Sequence, residues 1–160
     1  MEITIRRIEQ KDNIDLAKLI KAIFCEFKID KPGTVYTDPT TNNLFNLFKT
    51  PGAAYWVAEE DGILLGGCGI YPTNGLPANY AELVKFYLLP DSRGKGIGRA
   101  LIGKSLISAV SLGYEILYLE SFPELGKAVD IYEKSGFKQI DKPLGNSGHY
   151  ACTIFMVKIL

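Results

Sequence analysis

The chain has 160 residues, 47% hydrophobic and 22% charged, which suits one folded domain and excludes a disordered segment. Lys and Arg total 18, as do Asp and Glu, so no global field draws nucleic acid or an anionic membrane; any basic site must be local. No run approaches the roughly 18 apolar residues of a membrane span, and "MEITIRRIEQ" lacks the apolar core of a signal peptide, which together predict a cytoplasmic protein.

Residues 2–8 alternate as a strand. Asp12 or Asn13 then caps a helix with the stripe Leu16, Leu19, Ile20, Ile23 and Phe27, at the 3.6-residue period. "KIDKPGTVYTDPTTNN" has loop composition. A short helix with Leu44, Phe45, Leu47 and Phe48 follows, closed by Pro51-Gly52. "AAYWVAEEDGILLGGCGIYP" is a hairpin around Asp61-Gly62, a pair that tolerates the positive φ of a tight turn. After "TNGLPAN" comes the strand "YAELVKFYLL". Residues 97–112 predict a helix carrying Leu101, Ile102, Leu106, Ala109, Val110 and Leu112, ended by Gly113. "EILYLESF" is a strand, and Pro123 opens a helix with Leu125, Ala128, Val129 and Tyr132 on one face, ended by Gly136. "FKQI" and "HYACTIFMVKIL" are closing strands around "DKPLGNSG". With no repeat, linker or charge block, the order predicts one α+β domain, residues 1–160, with a mixed sheet flanked by helices.

Cys25, Cys68 and Cys152 lie far apart and form no C-x-x-C pair; apolar neighbours around Cys25 and Cys68 predict buried, reduced thiols. His149 is the sole histidine, which excludes a His-rich metal centre. His149 and Cys152 fall three apart in a predicted strand, on opposite faces, and so do not form a dyad.

The chemistry is concentrated in "LLPDSRGKGIGRALI", residues 88–102, where Gly94, Gly96 and Gly98 stand between a strand and a helix. A helix start offers unpaired N–H groups and partial positive charge, and glycine admits a ligand close to the backbone, so the stretch predicts a phosphate site. A P-loop would need G-x-x-x-x-G-K-[ST], whereas Lys95 is followed by Gly96. A dinucleotide fingerprint begun at Gly94 meets Arg99 at its sixth position, and "PDSR" separates strand from glycines.

"RGKGIG" resembles the [QR]-x-x-G-x-[GA] motif of the GNAT superfamily of N-acetyltransferases, with Arg93, Gly96 and Gly98 on its fixed positions. The resemblance extends over residues 82–137, through "LYLE" to "IYEKSGF", in the family's order. It implies the GNAT fold and acetyl-coenzyme A as co-substrate, with no metal required. The pyrophosphate would rest on the N–H groups of Gly94, Lys95, Gly96, Ile97, Gly98 and Arg99, Lys95 and Arg99 supplying charge and Arg93 positioning the loop. The pantetheine would lie beside Phe86, Tyr87 and Leu88 like an added strand, with the Leu88 N–H on the thioester carbonyl.

Attack by an amine needs a base to remove a proton and an acid to protonate the leaving thiolate. By the same resemblance Tyr132, five residues before Phe137, is the acid; its stripe position alone would make it a core aromatic. Two carboxylates compete as base: Glu82, in an otherwise apolar strand, and Glu120, at the end of the next. Leu125 stands where many relatives carry an Asn, seven residues before the tyrosine, so cofactor contacts there differ.

The acceptor is set by the variable segments: residues 24–50, the hairpin, and the loop at 142–149. Phe24, Phe27, Tyr36, Phe45 and Phe48 line a pocket or belong to the core. The expected activity is acetyl transfer to a small primary amine or amino acid, by a monomer or homodimer acting without nucleic acid or membrane. A coenzyme A sensor without turnover and a protein N-terminal acetyltransferase are the alternatives.

Overall fold

The computed structural model describes residues 2–160. Its elements are β1 (Ile3–Arg7), α1 (Asn13–Glu26), α2 (Leu44–Leu47), β2 (Ala54–Glu60), β3 (Ile63–Tyr71), β4 (Tyr80–Leu88), α3 (Ile97–Ser111), β5 (Ile116–Ser121), α4 (Gly126–Lys134), β6 (Lys138–Ile140) and β7 (Ile154–Ile159). The strands form one mixed sheet, ordered β1-β2-β3-β4-β5-β7-β6. Only β4 and β5 run parallel, because α3 carries the chain across between them.

Each sheet face buries its own apolar cluster. On one, α1 contributes Leu16, Leu19, Ile20, Ile23 and Phe24, and α2 contributes Leu44. On the other, α3 and α4 contribute Leu101, Ile102, Ala109, Val129 and Tyr132, closed by Phe137. The α1 stripe ends on Phe24 rather than Phe27, which lies past the helix end and is half-buried. On α3, Leu101, Ile102 and Ala109 of the predicted stripe are buried, whereas Val110, and Leu112 just past the helix end, are exposed; Ser105 and Ser108 are buried in their place. Neither predicted cap serves α1. Asp12 is buried and turned back onto Arg6 (2.8 and 2.9 Å) and the Glu9 amide (2.8 Å). The Asn13 side-chain oxygen, Oδ1, accepts from the Phe45 amide (2.9 Å), tying α1 to α2.

One irregularity governs the centre of the sheet. Gly67 pairs with Tyr87 and Gly69 with Val84, so Lys85 and Phe86 together oppose Cys68. This is a β-bulge with its extra residue on β4, and Lys85 takes the left-handed conformation there, φ +53°. For a residue with a Cβ that conformation costs roughly 1–2 kcal/mol. The Tyr55 hydroxyl, from β2, donates to the Lys85 carbonyl (2.7 Å). Glycines on β3 make this reach possible: a Cβ at Gly67 would sit 2.5 Å from the Tyr55 ring. Tyr55→Phe should orphan that buried carbonyl and cost about 1–3 kcal/mol in chemical denaturation. A loss under about 0.5 kcal/mol would mean that the hydroxyl does not hold the bulge.

Candidate active site

Strands β4 and β5 share only three register pairs, Tyr80–Ile116, Ala81–Leu117 and Glu82–Tyr118. Beyond Glu82 the strands diverge. β5 keeps its β7 ladder through Ser121, whereas β4 runs on to Leu88 paired with β3 alone. The Leu89 amide donates to Leu65 of β3 (2.8 Å), so by strand alternation the Leu88 N–H and C=O face the opening, and those of Tyr87 face β3. Of the three strand residues expected to offer backbone there, Leu88 does and Tyr87 does not. Phe86 packs its ring on Tyr132, centroids 5.7 Å apart.

Below the opening lies the glycine loop. Gly94 and Gly96 have φ +77° and +82°, a region that only glycine enters freely. A Cβ on either would meet no protein atom within 4 Å, so close packing is not what requires these glycines. Gly98 differs: a Cβ there would lie 2.8 Å from the Phe86 ring, so this glycine seats α3 against β4. From Gly94 onward, the first amide to find a backbone carbonyl among the described residues is that of Ala100, on Gly96 (3.1 Å). The N–H groups of residues 94–99 are thus presented together at a helix start. Arg93 turns away from them. Its guanidinium holds Glu26 bidentately (2.7 and 2.9 Å) and donates to the Leu88 carbonyl (3.0 Å), fixing the loop to α1 and to the mouth of the opening. Lys95 and Arg99 are exposed beside the free amides.

A small cavity of about 50 Å³ lies at the divergence, lined by Glu82, Glu120, Tyr132 and Leu125 among others. That is space for roughly three or four waters. Glu82 is buried and accepts from the Thr73 hydroxyl (2.6 Å). Burial first, and the charge of Glu120 second, push its pKa up to about 8, against the pull of Thr73 and Lys85. Glu120 has both oxygens engaged, by the Tyr118 hydroxyl (2.7 Å) and the Ser147 hydroxyl (2.5 Å). The Tyr132 hydroxyl makes no hydrogen bond among the described residues, and burial raises its pKa, keeping it protonated. The sequence-predicted acid and both predicted carboxylates thus converge on one cavity, and of the two carboxylates Glu82 alone keeps an oxygen without a hydrogen bond among the described residues.

Three polar residues in or beside this cavity, Lys85, His149 and Asp38, were given no role there from the sequence. Lys85 is buried with its ammonium 4.0 Å from Asp38. Asp38 accepts from the Thr40 amide and hydroxyl and faces the His149 ring (3.0 Å); these hydrogen bonds, the His149 one largest, hold its carboxyl well below the usual range. His149 was expected in a strand. The structure instead has residues 149–152 turning, with the Cys152 amide on the His149 carbonyl (3.1 Å), because Gly145 and Gly148 take positive φ and Ala151 bonds to Gly33. The opposite-face argument against a His149–Cys152 dyad therefore fails, but His149 is spent on Asp38, and burial pushes the Cys152 thiol up to about 12. Cys25, expected to be buried, is exposed on the outer side of α1; Cys68 is buried. Phe24 and Phe48 are core residues, and Phe24 also lines the cavity.

Residues 18–137 match the family described as "Acetyltransferase (GNAT) family". An uncharacterized N-acetyltransferase of Escherichia coli K12, YjgM, is 38% identical over 97% of this chain and 93% of its own length. A GNAT-family acetyltransferase structure from Staphylococcus aureus Mu50 superposes with a TM-score of 0.87 at 22% identity, covering 99% of both chains. The structure of YncA, a putative acetyltransferase from Salmonella typhimurium with its cofactor acetyl-CoA, superposes at 0.77 with 19% identity, covering 100% of this chain and 95% of that one.

Proposed function

The chain belongs to the GNAT acetyltransferase family, and on that premise we propose that it transfers the acetyl group of acetyl-CoA directly to a small primary amine or free amino acid. One observation carries this reading. A buried carboxyl with a raised pKa and an unpartnered tyrosine hydroxyl face one cavity, where β4 leaves its edge open above six free amides. The resemblance to a structure holding acetyl-CoA supports the donor. Acetyl-CoA supplies the acyl group and leaves as the thiol.

The amides of Gly94–Arg99, with Lys95 and Arg99, hold the pyrophosphate, and the open edge of β4 aligns the pantetheine. The Leu88 N–H stabilises the oxyanion on the thioester carbonyl. As the C–N bond forms, Glu82 takes the proton from the amine, and as the C–S bond breaks, Tyr132 gives one to the sulfur. Proton transfer from Glu82 back to Tyr132 through solvent restores both groups.

Thiol release from acetyl-CoA, measured against a panel of small amines, amino acids and peptides, tests the assignment. Amine-dependent release with small acceptors is the expected result. Release with peptides alone would make the protein an N-terminal acetyltransferase, and coenzyme binding without release would make it a sensor. Gly96→Val should weaken acetyl-CoA binding about 10–100-fold in calorimetry, since valine forces the loop out of its left-handed conformation and scatters the amides. Unchanged affinity would place the pyrophosphate elsewhere.

A further inference from the structure

Resting on the acetyl-transfer reading, we propose that the acceptor carries a carboxylate as well as an amine, and that Lys85 binds it: the substrate class is the amino acids. Lys85 is more than nine-tenths buried and lines the cavity beside Glu82. Its ammonium has no hydrogen-bond partner among the described residues; the nearest anionic oxygen, on Asp38, is 4.0 Å away. The residue is buried but its ammonium keeps access to the cavity, so its three unused donors are open to a bound group.

The backbone shows that this placement is built. On β4 the residues packed with α3 are Ala81, Leu83, Phe86 and Leu88, a spacing of two, three, two. Regular alternation would put residue 85 on that same face. The bulge makes Lys85 the extra residue and sends its side chain to the opposite face, where Glu82 and Asp38 lie. Bulges re-aim side chains in this way, and a strained non-glycine at φ +53° marks a place where function outweighs backbone preference.

The other polar groups around the cavity are already satisfied or neutral. Asp38 spends its oxygens on Thr40 and His149, and Glu120 spends its own on Tyr118 and Ser147. Glu82, with its pKa near 8, opposes an incoming carboxylate little at neutral pH. Burial sets the pKa of Lys85 below its usual value, against the opposing pull of Asp38 and then Glu82, and a carboxylate placed beside the ammonium would favour its charged form. Ser121 and Tyr87 add neutral hydroxyls to the lining, and Lys85 supplies the charged donor for an acceptor's second polar group. Glu82 and Lys85, three residues apart on one strand, would take the two ends of an amino acid.

The test pairs glycine, L-alanine, L-leucine and L-phenylalanine with their own amides, each rate of thiol release expressed per neutral amine. For the best acceptor, kcat/KM should favour the acid about 10²-fold, mostly through KM, and Lys85→Met should bring that ratio near one. An unchanged ratio in the variant, or a parent preference for the amides, would overturn the assignment. A binding arm needs neither variant nor turnover: N-acetyl-L-alanine should bind the coenzyme A-loaded protein at least about 10-fold more tightly than N-acetyl-L-alaninamide in calorimetry. Equal binding would overturn the anion site. Preferential binding of the acid with no thiol release from any amine would leave the site standing and sink acetyl transfer instead.

Discussion

Glu82→Gln is expected to lower kcat/KM roughly 10²–10³-fold above pH 8 and to erase the ascending limb of the pH–rate profile. In the parent that limb should fall near pH 8, because burial and the neighbouring Glu120 raise the carboxyl that far. Glutamine keeps the Thr73 hydrogen bond and the volume, so a loss reports the missing base. Glu120→Gln should preserve the limb but move it to lower pH, since removing the Glu120 charge removes one of the two causes of the rise. The reverse pattern would make Glu120 the base. A limb surviving in both variants would show that the amine's own ionisation supplies the nucleophile.

Tyr132→Phe should reduce kcat about 10²-fold with acetyl-CoA affinity unchanged, because the ring keeps its packing on Phe86 and Phe137 while the hydroxyl is lost. Burial strengthens the tyrosine's hold on its proton, and it also makes a thiolate leaving beside it a stronger base. The transfer remains matched because both partners share the same low-dielectric cavity. Turnover at the parent's level, measured where chemistry limits the rate, would return Tyr132 to the core.

What could be read from the sequence is what lies contiguous in it. The strand, glycine loop and helix of residues 80–111 form one local unit, and their phosphate logic depends on spacing alone. Tyr132 came to notice through the family resemblance of "IYEKSGF", since its place on the helix stripe alone pointed to the core. The cluster of Lys85, Asp38 and His149 was illegible because three distant segments supply it: a bulged strand, the loop between α1 and α2, and a glycine-bounded turn. Asp38 looked like ordinary loop composition, and "HYACTI" had the β-branched and aromatic content of a strand until glycine turns and an imidazole–carboxylate contact claimed it. The bulge left one trace, the two-three-two spacing of Ala81, Leu83, Phe86 and Leu88. Val110 and Leu112 misled for a simpler reason: apolar residues near the end of a helix need not lie on its buried face.

The short seam between β4 and β5 leaves the centre of the sheet partly unpaired. Three register pairs join the β1–β4 meander to β5, β7 and β6, and beyond Glu82 and Tyr118 the two strands share no further pair. α3 packs on β2, β3 and β4, while the turn carrying His149 reaches Asp38 across the other face. Amides along the free edge of β4 should therefore exchange with solvent faster than those of β3 on its paired side. A reactant lying along that edge would supply the missing rungs, so exchange there should slow while it is bound and recover on departure.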